Sequence, residues 1–135
     1  MDVRRTFAAV VALVAIACPL SAAAAGLVAM AGKWDVTLVT NFSSCDTSSV
    51  GDINILQLVI HVESGLLKAE TVGTSASSDK YTGRLTGDKV VLRAATSGHQ
   101  ATIEATAKDR KLVGRRIVAN SGPCVILYDL TAKKQ

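Results

Sequence analysis

The alternation of apolar and polar residues from position 32 onward predicts a chain built of β-strands. A period of two places every second side chain on the same face of a strand, and turn motifs such as Ser64-Gly65 interrupt the pattern at short intervals. No stretch after position 32 has sustained helical spacing. Eight strands are predicted, at residues 33–42, 53–63, 66–72, 80–85, 89–95, 100–107, 111–119 and 124–132.

The short connections between these strands predict an antiparallel up-and-down sheet. Closing the sheet into an eight-stranded β-barrel removes both exposed edges, which otherwise promote aggregation. The first strand would then pair with the last. A two-sheet β-sandwich is the alternative, because a period of two is common to both architectures.

The first 25 residues resemble a secretory signal peptide. Arg4 and Arg5 precede an apolar run at 7–17, and small residues follow. Cleavage after Ala25 would leave a single β-barrel domain at 26–135, exported to the periplasm or the extracellular space and without a transmembrane segment. Cleavage after Ala31 is a second option.

The chain has three cysteines, Cys18, Cys45 and Cys124. Cleavage after Ala25 removes Cys18, although a lipoprotein anchored through Cys18 is an alternative. The remaining two would meet an oxidising compartment, which favours a Cys45–Cys124 disulfide. In a closed barrel this bond joins the loop after the first strand to the start of the last. On the chain-entropy account it stabilises the fold by roughly 4–5 kcal/mol.

The composition excludes one class of partner but does not identify the partner. The net charge of +4 falls to +3 without residues 1–25, since two of 15 basic and one of 11 acidic residues lie there. The aromatic residues after position 25 are Trp34, Phe42, Tyr81 and Tyr128. Because so few aromatics cannot form a base-stacking surface, no nucleic-acid partner is expected.

The segment Gly32-Lys33-Trp34 resembles the Gly-x-Trp signature of the calycin β-barrels, which include lipocalins, avidins and bacterial metalloprotease inhibitors. The resemblance implies that Trp34 closes one end of the barrel and that a basic side chain from a late strand stacks on it. The chain departs from the lipocalins in its short length, and from the avidins in lacking several tryptophans. It departs from the inhibitors in placing its second cysteine near the C-terminus.

Arg115 and Arg116 are the candidates for that basic partner. Adjacent strand residues point to opposite faces unless a bulge intervenes, so one of the two heads inward. Arg116 shares its face with Leu112 and Val118, and we therefore expect it to stack on Trp34. A bulge that lets both arginines reach water is the alternative.

No arrangement for catalysis or metal binding emerges from the sequence. There is no Gly-x-Ser-x-Gly motif, and no glycine-rich phosphate loop precedes a helix. His61 and Glu63 share a strand face, but a metal site needs three or four ligands. His99 is expected in an exposed turn. The protein is therefore predicted to be a non-enzymatic one without a cofactor or metal.

Two binding functions fit the pattern. The first is an exported, monomeric module that holds a small apolar ligand inside the barrel. The candidate contacts for a ligand or a partner are Phe42, Leu58, Ile60, Tyr81 and Tyr128. The second is a protein-binding module, such as an inhibitor of an exported protease, that uses its rim loops or the apolar segment 26–31.

Overall fold

A computed structural model describes residues 22–72, 79–96 and 98–135 of the chain. Most of the predicted signal peptide, with Cys18, therefore lies outside the described residues. In the described part no helix is long and apolar enough to cross a membrane. The elements are α1 (Ala22–Met30), β1 (Gly32–Ser43), β2 (Ile53–Glu63), β3 (Leu66–Val72), β4 (Lys80–Thr86), β5 (Lys89–Ala95), β6 (His99–Lys108), β7 (Lys111–Asn120) and β8 (Cys124–Lys134).

The eight strands form a closed antiparallel barrel in which each strand pairs with its neighbours in sequence. β1 pairs with β8 from Trp34 opposite Lys134 to Ser43 opposite Ile126, and this pairing closes the ring. The predicted barrel is therefore confirmed, and the β-sandwich alternative is excluded.

The two ends of the barrel differ in their connections. At the end that we call the closed end, two-residue turns at 64–65, 87–88 and 109–110 join the strands. Ser64 and Gly65 have φ angles of 51° and 77°, as a type I′ hairpin requires. The connections at 44–52 and 121–123, together with Asp79, Thr96 and Gly98, lie at the other end, which we call the mouth.

Helix α1 covers the closed end. Met30 is buried there, and its carbonyl oxygen accepts a hydrogen bond of 2.9 Å from Nε1 of Trp34. Lys134 Nζ donates to the Ala29 carbonyl oxygen at 2.8 Å. Met30 and the backbone of Ala29 therefore hold the end of this segment against the barrel.

The predicted disulfide is present at the mouth. Cys45 and Cys124 are bonded with a Cα–Cα distance of 5.1 Å, and 79 residues separate them in sequence. Asn120 Nδ2 donates to both sulfur atoms at 3.4 and 3.5 Å. The bond thereby fixes the long β1–β2 connection to the first residue of β8.

Phe42 does not face the interior as the alternation predicts. The β1–β8 register shifts between Thr40 and Phe42, which is the mark of a β-bulge at Asn41. An extra residue reverses the alternation beyond it, so Phe42 turns outward and is 51% exposed. Its expected contact with an interior ligand is corrected accordingly.

Gly83 and Gly114 allow neighbouring strands to approach closely. A Cβ atom on Gly114 would overlap the Glu104 carbonyl oxygen and lie 2.5 Å from Ala105 Cα, and one on Gly83 would overlap the backbone of Val91. Since both contacts involve backbone atoms, the strands themselves would have to move.

We expect Gly114→Ala to lower the free energy of unfolding by about 1–3 kcal/mol, as overpacking does. Gly122→Ala is the matched control, because a Cβ there has no atom within 4 Å. It should change stability by less than about 1 kcal/mol. Urea unfolding of both variants measures the difference, and equal stabilities would contradict the close approach of β6 and β7.

Candidate functional site

Five side chains meet inside the barrel toward the mouth: Asp79, Tyr81, His99, Arg116 and Tyr128. We call them the mouth cluster. Asp79 immediately precedes β4, and His99 is the first residue of β6, so both come from the mouth end of their strands. The other three occupy inward positions on β4, β7 and β8. Because side chains alternate in direction along each strand, these positions place polar groups in an otherwise apolar interior.

Arg116 is the centre of the cluster. Its Nη2 donates to Asp79 Oδ2 at 2.8 Å, and its Nε donates to the Tyr81 hydroxyl at 3.0 Å. The guanidinium carbon lies 5.4 Å from the centroid of the Tyr128 ring, within the range of a cation–π contact. Only 14% of the Arg116 side chain is exposed, whereas Arg115 points outward and is bonded to Glu104.

Asp79 links Arg116 to His99. Its Oδ1 lies 3.0 Å from His99 Nε2, and His99 Nδ1 lies 3.2 Å from Thr96 Oγ1. Asp79 is also held through its backbone, because its N–H donates to Thr71 Oγ1 at 2.9 Å. The prediction of His99 as an exposed turn residue is therefore wrong: it is half-buried and paired.

Burial sets the electrostatics of the cluster. Burial raises the pKa of the Tyr81 phenol above its ordinary value, although Arg116 opposes the rise. Burial by itself would lower the pKa of Arg116, but Tyr81 and then Asp79 more than offset it, so this pKa is raised. At neutral pH the cluster thus holds a neutral phenol and a guanidinium cation.

One polar group beside this network, the Thr40 hydroxyl, is buried and has no hydrogen-bond partner among the described residues. Across the sheet Thr40 faces Tyr128, and Tyr128 faces Arg116, so the three residues form one row on β1, β8 and β7. The described hydrogen bonds of Arg116 use its Nε and Nη2, and Tyr128 contacts it through the ring face.

Trp34 and Arg116 do not form the expected stacked pair. The Trp34 indole packs under α1 at the closed end, opposite Lys134, whereas Arg116 lies opposite Tyr128. Six residues of β8 separate these two levels, or about 20 Å along a strand. Arg116 turns inward as predicted, but its aromatic partner is Tyr128.

The other predicted contacts belong to the packed core. Leu58 and Ile60 are both fully buried on β2. The space that remains among Leu58, Tyr81, Arg116 and their neighbours is about 10 Å³. That is about the room that one water needs, so these side chains are closely packed.

Sequence reasoning missed Asp79 and the role of His99. Asp79 follows a serine-rich stretch and resembles an ordinary loop residue. One signal was present: an inward arginine on a strand requires a carboxylate nearby, since an unpaired buried charge is costly. The sequence left open which acidic residue supplies it.

The contacts of Thr96 and the distribution of metal-binding side chains describe the chemistry around the cluster. Thr96 Oγ1 reaches His99 but also lies 3.3 Å from the His99 carbonyl oxygen, in the geometry of a turn. The described residues contain no group of three or more metal-binding side chains. His61 and Glu63 lie exposed on the outer face of β2.

No protein-family model matches the chain, and no curated protein is similar to it in sequence. The function therefore has to be argued from the geometry of the barrel.

We expect Tyr81→Phe to cost about 1–3 kcal/mol of stability, because it leaves the buried Arg116 Nε without an acceptor. Tyr128→Phe is the control, since its hydroxyl has no described partner, and it should cost less than about 0.5 kcal/mol. Urea unfolding at neutral pH distinguishes the two, and equal losses would contradict the assigned hydrogen bond.

We expect the free energy of unfolding to depend on pH differently in the wild type and in Tyr81→Phe. A folded-state pKa above that of the unfolded chain, about 10 for tyrosine, gives stability that is complete below that pH. This stability is lost as the pH rises through the folded pKa. The stability gap between the wild type and Tyr81→Phe should therefore narrow above about pH 10.

Proposed function

We propose that this protein is an exported, non-enzymatic binding module whose site lies at the mouth of the barrel. The observation that carries the proposal is the buried Thr40 hydroxyl, which has no hydrogen-bond partner among the described residues and lies in one row with Tyr128 and Arg116. A buried hydroxyl without a partner costs about 1–3 kcal/mol. A ligand atom, or a water that a ligand orders, would remove that cost.

The chemistry of the row favours a ligand with acceptor oxygens. Arg116 Nη1 can only donate, whereas the Tyr128 and Thr40 hydroxyls can donate or accept. Arg116 keeps its charge and is oriented by Asp79 and Tyr81, so little side-chain entropy is lost when a ligand binds. A small, partly polar molecule fits better than the purely apolar ligand expected from the sequence.

The proposal also includes export of the protein and its membership of the calycin family. The disulfide fits an oxidising compartment, and the packing of 26–31 on the closed end favours cleavage after Ala25 over cleavage after Ala31. The closed eight-stranded barrel is consistent with the calycin resemblance of Gly32-Lys33-Trp34.

Protein binding is the second candidate, and the outer surface favours it. Ile53 and Ile55 on β2 are 64% and 77% exposed, and Val72 on the neighbouring strand is also exposed. Val39 on β1 lies directly opposite Ile53. Such a group of exposed aliphatic side chains is typical of contact surfaces.

Native mass spectrometry of the protein purified from the compartment to which it is exported tests the two candidates. A co-purifying small mass that is lost in Arg116→Gln supports the mouth site. A complex with another protein, lost when Ile53 and Ile55 are both changed to Ser, supports the second candidate. A bare protomer with an unchanged mass would contradict both.

Thr40→Val separates binding from stability. Removing a buried, unpartnered hydroxyl at constant shape should raise the free energy of unfolding of the ligand-free protein by about 1 kcal/mol. The same substitution should also lower the fraction of the protein that carries a ligand. Thr131→Val, on the exposed face of β8, is the control and should stay within about 0.5 kcal/mol of the wild type. A loss of stability in Thr40→Val would mean that the hydroxyl already has a partner.

A further inference from the structure

The outer face of β3–β5 carries four cations around a groove that is separate from the mouth. We call Lys68, Arg84, Lys89 and Arg93 the basic groove. The depression over β4 and β5 has a volume of about 380 Å³, and Arg84, Lys89 and Arg93 line it. The backbone of Gly83 also lines it.

The strand register places the four cations next to one another. Arg84 lies opposite Val91, so Lys89 and Arg93 are its two diagonal neighbours on β5. Lys68 lies opposite Thr82, next to Arg84 on the same face of β4. Diagonal neighbours are about 7–8 Å apart, close enough for like charges to repel.

No acidic side chain compensates the two arginines among the described residues. Arg84 and Arg93 are exposed and have no ion pair or side-chain hydrogen bond there. Glu104, on the next strand, lies opposite Val91 and is therefore a diagonal neighbour of Lys89 and Arg93, but it is paired with Arg115. The two lysines bond only to threonine hydroxyls, Lys68 to Thr82 and Lys89 to Thr106. Part of the repulsion among the four cations is therefore left without an ion pair among the described residues.

We propose that the basic groove binds an acidic polysaccharide chain. An exposed cation contributes at most about 1 kcal/mol to an ionic contact, so a compact anion touching one or two of them would bind weakly. A chain that follows the groove engages all four at once. Thr82 and Thr86 in the groove add hydroxyl groups that can pair with sugar hydroxyls.

The groove fits this partner better than a nucleic acid or a membrane. No aromatic residue lines it in the part of the chain that the structure describes, whereas single-stranded nucleic acids are held largely by stacking on aromatic rings. A bilayer surface is broad and flat, and it would rest on the rims of the groove without filling it. Sugar rings need neither stacking partners nor a planar contact.

Titration with a polygalacturonate oligomer, followed by calorimetry and by the amide resonances of β4 and β5, tests the proposal. We expect binding that weakens between about 50 and 200 mM salt, as ionic contacts do. Arg84→Gln combined with Arg93→Gln should lower the affinity about tenfold, since two contacts of about 0.7 kcal/mol each are lost.

Lys111→Gln combined with Lys133→Gln is the matched control. These lysines face each other on β7 and β8, are both exposed, and carry the same charge as the two arginines. The control should keep its affinity within about twofold of the wild type. No binding, or equal losses in the two double variants, would overturn the proposal. Tighter binding of single-stranded DNA or of anionic vesicles through Arg84 and Arg93 would overturn the assigned partner.

Discussion

The pairing of β1 with β8 closes the sheet, and this closure decides where every other side chain goes. A closed sheet has one interior of fixed volume, so each inward position has to be filled by a side chain of matching size. Trp34 and Met30 fill the closed end, whereas Gly83 and Gly114 let the strands come close. The same closure leaves the mouth as the one end where long connections can reach the interior.

A charge inside such a barrel is costly unless the fold supplies its partners. The Arg116 guanidinium donates from Nη2 to the Asp79 carboxylate and from Nε to the Tyr81 hydroxyl. Its carbon atom also lies over the Tyr128 ring. Asp79 in turn holds His99, so the network ties β4, β6, β7 and β8 together at the mouth. A buried ion pair is weak evidence for stability, because replacing it with apolar residues is often neutral. The proposed binding role would use the same network, because Asp79 and Tyr81 hold Arg116 beside the Thr40 hydroxyl, which is buried without a partner among the described residues.

Much of the fold was predictable because it follows from local rules. The period of two located all eight strands, and the turn residues located the hairpins at the closed end. The contacts across the barrel were not predictable in this way. Phe42 reversed its face because of one bulged residue, and Arg116 found Tyr128 because strand stagger sets the level at which inward side chains meet. Neither the strand stagger nor a bulge can be detected in the alternation of apolar and polar residues.

The arrangement of the charged side chains was not predictable either, because the net charge does not show where they lie. A net charge of +4 indicates little about partners, and many of the charged side chains are paired or solvated singly. The register nevertheless gathers Arg84 and its basic neighbours on one outer face, where the nearby Glu104 is paired with Arg115. The two proposed sites would therefore recognise their ligands in different ways. A desolvated and oriented arginine at the mouth suits a small ligand, whereas solvated cations on the wall gain affinity only by acting together.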